Sequence, residues 1–284
     1  MTTDHMFTRR RMLMAGAAVA GATAAAGAAA LLTGGPAPAP ATAPGEGPAA
    51  GAQARRALKP SSYRLQPLTG YGPTRARARG RTLVRHEPLL RVSGIGRAMV
   101  LTFDDGPDPR YTPKVLRTLR EYDVRAMFFV CGEMVAANKG LLREMADEGH
   151  VVGNHTWSHP LLTGMSPSAI RSELERTCEV IEEVYGEAPL WFRAPYGAWN
   201  RSVFQIGSDL GMEPLAWSLD TLDWQSPGAR TITHRVARGA GPGVVVLAHD
   251  AGGDRSQSVG ALRAYLPALL DSGYRLTVPR REFA

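Results

Sequence analysis

Met99-Val100-Leu101-Thr102-Phe103-Asp104-Asp105-Gly106-Pro107 opens as an apolar run and breaks at two adjacent carboxylates and a Gly-Pro step. The run reads as a buried strand and the Gly-Pro step as a stop. Both carboxylates therefore emerge at the open end of a sheet or barrel, where α/β folds collect their chemistry. Asp and Gly are also ordinary turn residues, so the pair alone does not separate a site from an Asp-rich turn. Two neighbouring anions repel unless a cation stabilises them, which directs attention to ligand-type residues elsewhere in the chain.

His155-Thr156-Trp157-Ser158-His159-Pro160 supplies them. Histidines four apart, as on one helical turn, present their rings to one side, and neutral imidazole is a common ligand of divalent metals. Two such rings with one carboxylate suit zinc and leave a coordination position open. Val151, Val152 and Gly153 read as a short strand delivering His155 to a loop. Three later segments repeat the pattern of a strand ending in a polar group. Leu190-Trp191-Phe192 runs into Arg193-Ala194-Pro195-Tyr196-Gly197, residues 215–219 run into Asp220-Thr221-Leu222-Asp223-Trp224, and the Val-rich run from Gly243 ends at Leu247-Ala248-His249-Asp250. Singly, Arg193 fits a salt bridge, Asp223 a helix cap and His249 a core histidine. Together they place polar groups at one end of successive strands.

These five ordered segments resemble the carbohydrate esterase family 4 polysaccharide deacetylases, the NodB-homology domain. The resemblance spans roughly residues 97–280, about two thirds of the chain, with no departure at a catalytic position. It implies a distorted seven-stranded (β/α) barrel and a hydrolase that removes N-acetyl groups from peptidoglycan or chitin-type glycans. It further implies Asp104 as general base, with Asp105, His155 and His159 as ligands of one divalent ion, zinc foremost and cobalt, manganese or nickel as alternatives. Arg193 would pair with the base, the Tyr196 N–H would face the oxyanion, and His249 would be the general acid, oriented by Asp223. Tyr196, Trp224 and Leu247 would contact the acetylated sugar. The division is chemically sensible, because a bound divalent ion acidifies water from a pKa of 15.7 to about 7. An O-acetyl esterase acting on xylan, and a non-catalytic wall-binding protein, are the alternatives.

The same region alternates strand and helix signals. Strands are expected at 98–103, 126–131, 150–154, 190–194, 214–219, 243–249 and 274–278, with helices near 113–122, 138–148, 167–185, 201–210, 230–238 and 257–272. This alternation is that of a parallel α/β sheet or barrel. No Gly-x-Gly-x-x-Gly follows a strand, so there is no nucleotide fingerprint.

Residues 1–54 read as an export signal and linker. Thr8-Arg9-Arg10-Arg11-Met12-Leu13 precedes an uncharged Ala/Gly-rich stretch of the twin-arginine type, followed by a Pro/Ala/Gly tract. Small residues dominate the stretch, so no stable membrane anchor is expected. An extracellular or wall-associated protein follows. The overall charge of +7 hides an asymmetry: +1 for residues 1–54, +10 for 55–97 and −4 for 98–284. Residues 55–96 thus form a basic, flexible arm ahead of the catalytic domain at 97–284. Its Arg75 to Arg81 run suits an anionic wall polymer or is a plain solvated arm; an export signal argues against nucleic acid. Segment 82–96 has a second reading, as a short strand across the base of the domain. Cys131 and Cys178 are expected as separate core thiols.

Overall fold

The computed structural model describes residues 80–279. The residues read as an export signal and linker, and most of those read as a basic arm, lie outside the described residues. The elements run β1 (Ala98–Asp104), α1 (Thr112–Glu121), β2 (Met127–Val130), α2 (Gly132–Ala137), α3 (Lys139–Asp147), β3 (Val151–Asn154), α4 (Pro167–Tyr185), β4 (Trp191–Phe192), α5 (Arg201–Asp209), β5 (Glu213–Pro214), β6 (Leu219–Asp220), α6 (Ala229–Gly239), β7 (Val245–His249), α7 (Ser256–Asp271) and β8 (Arg275–Leu276). Seven strands follow one parallel path, β5-β4-β3-β2-β1-β7-β6, and β8 pairs beside the start of β1. The sheet curls into an incompletely closed barrel with helices outside it.

Strand parity decides what faces inward. Alternate residues point to opposite faces. On β1, Met99, Leu101 and Phe103 pack outward with Leu116 and Leu119 of α1 and Leu262 and Leu266 of α7 in one core. Val100 points inward, joining Met127, Phe129, Trp191, Leu215 and Val245 in the barrel interior. The same parity turns Thr102 and Asp104 inward, and it does the same for Leu247 and His249 on β7. Two helices start at a short polar cap: Ser166 accepts from the Ala169 N–H at 3.3 Å ahead of α4, and Asn200 from the Val203 N–H at 3.0 Å ahead of α5. Gly186, with φ 89°, ends α4 in the left-handed conformation that favours glycine.

Four expectations need correction. The strand placed at 214–219 is two: β5 pairs with β4, β6 pairs with β7, and residues 215–218 cross between them. The cause is local, since Pro214 has no N–H and Arg193 occupies the carbonyls of Leu215 and Ala216 at 2.9 Å each. The strand at 274–278 shrinks to β8, off the main path. Helix α2 has no counterpart in the sequence reading, being six residues long with Cys131 at its N-cap and no side-chain cap. The histidine segment is a loop rather than a helical turn, with Thr156 at φ 71° and His159 at φ 58°.

Part of the segment assigned to the basic arm belongs to the body of the domain. Thr82 is buried and donates to the Met212 carbonyl at 3.2 Å, and Arg85 meets Glu213 at 2.5 Å. Leu89 bridges to Leu215 and Arg91 to Val244. Residues 89–92 thereby lie across the seam where β5 and β6 fail to pair, consistent with the reading of a short strand at the base. Cys131 and Cys178 are both buried, and no disulfide joins them. Among the described residues, no helix is long and apolar enough to cross a membrane.

Candidate active site

A pocket of about 370 Å³ opens at the carboxyl ends of the strands, lined by Asp104, Asp105, His155, His159, Ala194, Tyr196, Trp217, Asp220, Trp224, Leu247 and His249. It brings together the sequence-expected site residues, with Arg193 and Asp223 directly behind the lining.

Asp104 ends β1 on its inward face, almost fully buried. The Arg193 guanidinium donates from Nη1 to Asp104 Oδ1 at 2.7 Å and to Thr102 Oγ1 at 2.8 Å, while Nε and Nη2 reach the Leu215 and Ala216 carbonyls. Its carbon lies 4.1 Å from the Phe129 ring centroid. Burial draws this guanidinium below the ordinary arginine pKa and the Asp104 carboxylate opposes the shift. With Oδ1 engaged, Oδ2 is the oxygen of Asp104 left for the pocket.

Asp105 sits just past the strand, at φ 77°. Its Oδ1 lies 3.5 Å from His155 Nε2 and 3.3 Å from His159 Nε2, is buried, and has no hydrogen-bond partner. His155 Nδ1 is 2.8 Å from the Arg193 carbonyl; a carbonyl only accepts, so Nδ1 carries the proton and Nε2 is the atom facing the carboxylates. Burial works against charge on Asp105, yet the His155 ring outweighs it and holds the carboxyl at about 2. Burial lowers the pKa of His159, favouring its neutral form.

The donor atoms of Asp105, His155 and His159 fall within 4.8 Å of one another. Ligands of a tetrahedral ion with bonds of about 2.0–2.1 Å stand roughly 3.3 Å apart. Two of the donor separations match that spacing, and the residues therefore fit a divalent ion.

The opposite wall carries His249 at the end of β7. Its Nδ1 lies 2.7 Å from Asp223 Oδ1, and its backbone N–H donates to Asp223 Oδ2 at 2.9 Å. Ser258 Oγ donates to the same Oδ2 at 2.6 Å. Burial would lower the imidazole pKa, but Asp223 outweighs it and raises it to about 9. Tyr196 stands in a 3-10 turn at φ 62°, a position whose N–H has no acceptor within the turn. Its side chain, 67% exposed, packs edge-on against His159 with ring centroids 4.7 Å apart. Trp224 is 52% exposed at the rim and Leu247 is buried in the wall.

The sequence reading gave no role to Trp217 or Asp220, which also line the pocket. Trp217 was legible only as part of an apolar run. Asp220 begins the Asp-x-x-Asp-Trp segment, and burial raises its pKa.

Comparison with known proteins agrees with this geometry. The family model described as polysaccharide deacetylase matches residues 92–215. A peptidoglycan-N-acetylglucosamine deacetylase of Bacillus cereus is 41% identical over 179 residues, covering 62% of this chain and 84% of the relative. A chitooligosaccharide deacetylase of Rhizobium leguminosarum bv. trifolii is 37% identical over 207 residues, covering 69% and 96%. Among solved structures, a peptidoglycan N-acetylglucosamine deacetylase in complex with 4-naphthalen-1-yl-N-oxidanyl-benzamide superposes with a TM-score of 0.65 at 36% identity, covering 66% of this chain and 89% of that one. With most of the length of these relatives matched and the strand-end residues assembled around one pocket, the chain belongs to the polysaccharide deacetylase family.

Proposed function

We propose that this protein is a metal-dependent hydrolase that removes N-acetyl groups from a glycan of the peptidoglycan or chitin type. The observation that carries the reading is the buried, unpartnered Asp105 Oδ1 facing two imidazole nitrogens at 3.3 and 3.5 Å. A buried acceptor without a donor is costly; a cation at that point removes the cost. Asp105, His155 and His159 would hold it, and two nitrogens with one oxygen favour zinc. When bound, the ion would supply Lewis-acid polarisation of the acetyl carbonyl and acidify the attacking water.

The chain's own groups complete the reaction. Asp104, fixed through Oδ1 by Arg193, takes the proton of the attacking water on Oδ2. The Tyr196 N–H faces the oxygen on which charge develops; removing one such donor typically costs about 2.7–4 kcal/mol. The C–N bond breaks as His249 delivers a proton to the nitrogen, which would otherwise leave as an amide anion. Trp217, Trp224 and Leu247 wall the acetyl group. Acetate release from an N-acetylglucosamine oligomer, with and without chelator, tests the reading: loss on chelation and recovery with zinc are expected, and release unaffected by complete metal removal rejects it. The xylan O-acetyl esterase alternative uses the same site, and His249 favours the amide, whose leaving group needs the proton.

Export by a twin-arginine signal is a further part of this reading, supported by Thr8 to Leu13. Replacing Arg9 and Arg10 with Lys should retain the precursor inside the cell, because a receptor reading guanidinium pairs does not accept ammonium groups. Fractionation checks it, and undiminished appearance outside the membrane points to a general secretion signal.

A further inference from the structure

The mechanism leaves the buried carboxyl of Asp250 unused. Asp250, next to His249, is completely buried, and its Oδ1 has no partner. Its N–H and its Oδ2 both reach the segment that joins β1 to α1. Its N–H donates to the Asp104 carbonyl at 3.2 Å, where the turn begins. Its Oδ2 accepts from the Thr112 hydroxyl, and Thr112 Oγ1 accepts in turn from the Asp108 N–H at 2.8 Å, where the turn ends. Between these anchors the carboxyl lies against Gly106, where a β-carbon would fall 2.4 Å from Oδ1 and 2.5 Å from Oδ2. No positive φ demands glycine at 106; the space taken by Asp250 does. The loop after Asp250 also meets the turn, since a β-carbon on Gly252 would fall 2.3 Å from Asp105 Oδ2.

Asp105 itself stands at φ 77°, a conformation that is unfavourable for a non-glycine residue and persists only where the surroundings over-determine it. We propose that Asp250 is a positioning residue: braced through Gly106 and Thr112, it holds the turn 105–108 so that Asp105 presents Oδ1 to His155 and His159. The inference rests on the metal-site reading above. It explains why a carboxyl with an unsatisfied oxygen is kept in the interior, where replacement by an apolar residue would otherwise be the cheaper arrangement.

Zinc titration of the metal-stripped full chain, against a chromophoric chelator, tests the inference. Asp250→Ala should weaken zinc binding roughly 10–100-fold, the range seen when partners behind metal ligands are removed. It should lower kcat at subsaturating zinc while leaving KM for an N-acetylglucosamine oligomer unchanged, because no surface that meets the sugar is altered. Asp250→Asn, which keeps the volume and an acceptor for Thr112, should bind zinc nearly as tightly as the unaltered chain. If Asp250→Ala does not fold, Thr112→Val removes the tether instead and should show the same loss. A folded Asp250→Ala, or failing that Thr112→Val, with undiminished zinc affinity overturns the proposal, as does an Asp250→Asn variant as impaired as the alanine. His155→Ala separates the two levels: zinc lost there but kept in the Asp250 and Thr112 variants rejects the positioning role alone. Zinc kept in His155→Ala as well rejects the metal site and the brace together.

Discussion

Burial alone would strip the proton from the His249 imidazole, but Asp223, with both oxygens turned to that residue, holds it on up to about pH 9. The proposed general acid is therefore charged before substrate arrives. Since the raised pKa belongs to the protonated form, activity on an amide should be sustained through neutrality and fall as pH rises through about 9 in kcat/KM. Asp223→Asn should move that limb down towards the ordinary histidine value of about 6.5; a limb that does not move assigns it to another group. His249→Ala should cost about 10²–10⁴-fold on an N-acetyl substrate and spare an aryl acetate, whose leaving group departs unprotonated. Equal losses on both would make His249 a binding residue. Asp104→Asn should abolish turnover and keep zinc, and Asp105→Ala should lose zinc as well, read by elemental analysis; the opposite pattern reverses their roles. These residues were legible in the sequence as polar groups at strand ends, and the family resemblance supplied the role expected of each. Asp250 was not, because its meaning comes from Gly106, Thr112 and Asp108, distant in sequence and unremarkable in kind.

Among the elements, the long amphipathic helices matched their sequence signals: α4 was read at 167–185 and spans Pro167–Tyr185, with proline and a serine cap at its start. Short elements did not, because two-residue strands and a six-residue helix give too few periods to distinguish. The expected total of seven strands holds on the main path, but through a different division of the chain, with one run split in two and the last moved aside. Close packing also sets demands that single elements do not reveal. Gly153 on β3 faces inward, and a β-carbon there would fall 2.6 Å from the Phe129 ring on which Arg193 lies. Gly153→Ala should destabilise the fold by about 1–3 kcal/mol through overpacking and displace the Phe129 platform. Chemical denaturation measures the first effect, and an unchanged midpoint would show that the ring gives way freely.

In the whole molecule, the barrel closes through a segment that precedes its first strand. A chain beginning at residue 80 should keep the melting temperature of the intact domain, whereas one beginning at 98 should lose roughly 5–10 °C, about 2–3 kcal/mol at this size. Thermal melts decide it, and equal melting temperatures for the two truncations would deny the segment a structural role. The basis is the set of contacts from Thr82, Arg85, Leu89 and Arg91 to partners between 126 and 153 residues further on. During synthesis, residues 80–92 leave the ribosome long before Pro242 and Val244 exist to receive them. The earliest-made part of the domain is thus among the last to be placed, its contacts carry the entropy of closing nearly the whole domain into a loop, and the finished state is reached only after the final third of the chain has been translated.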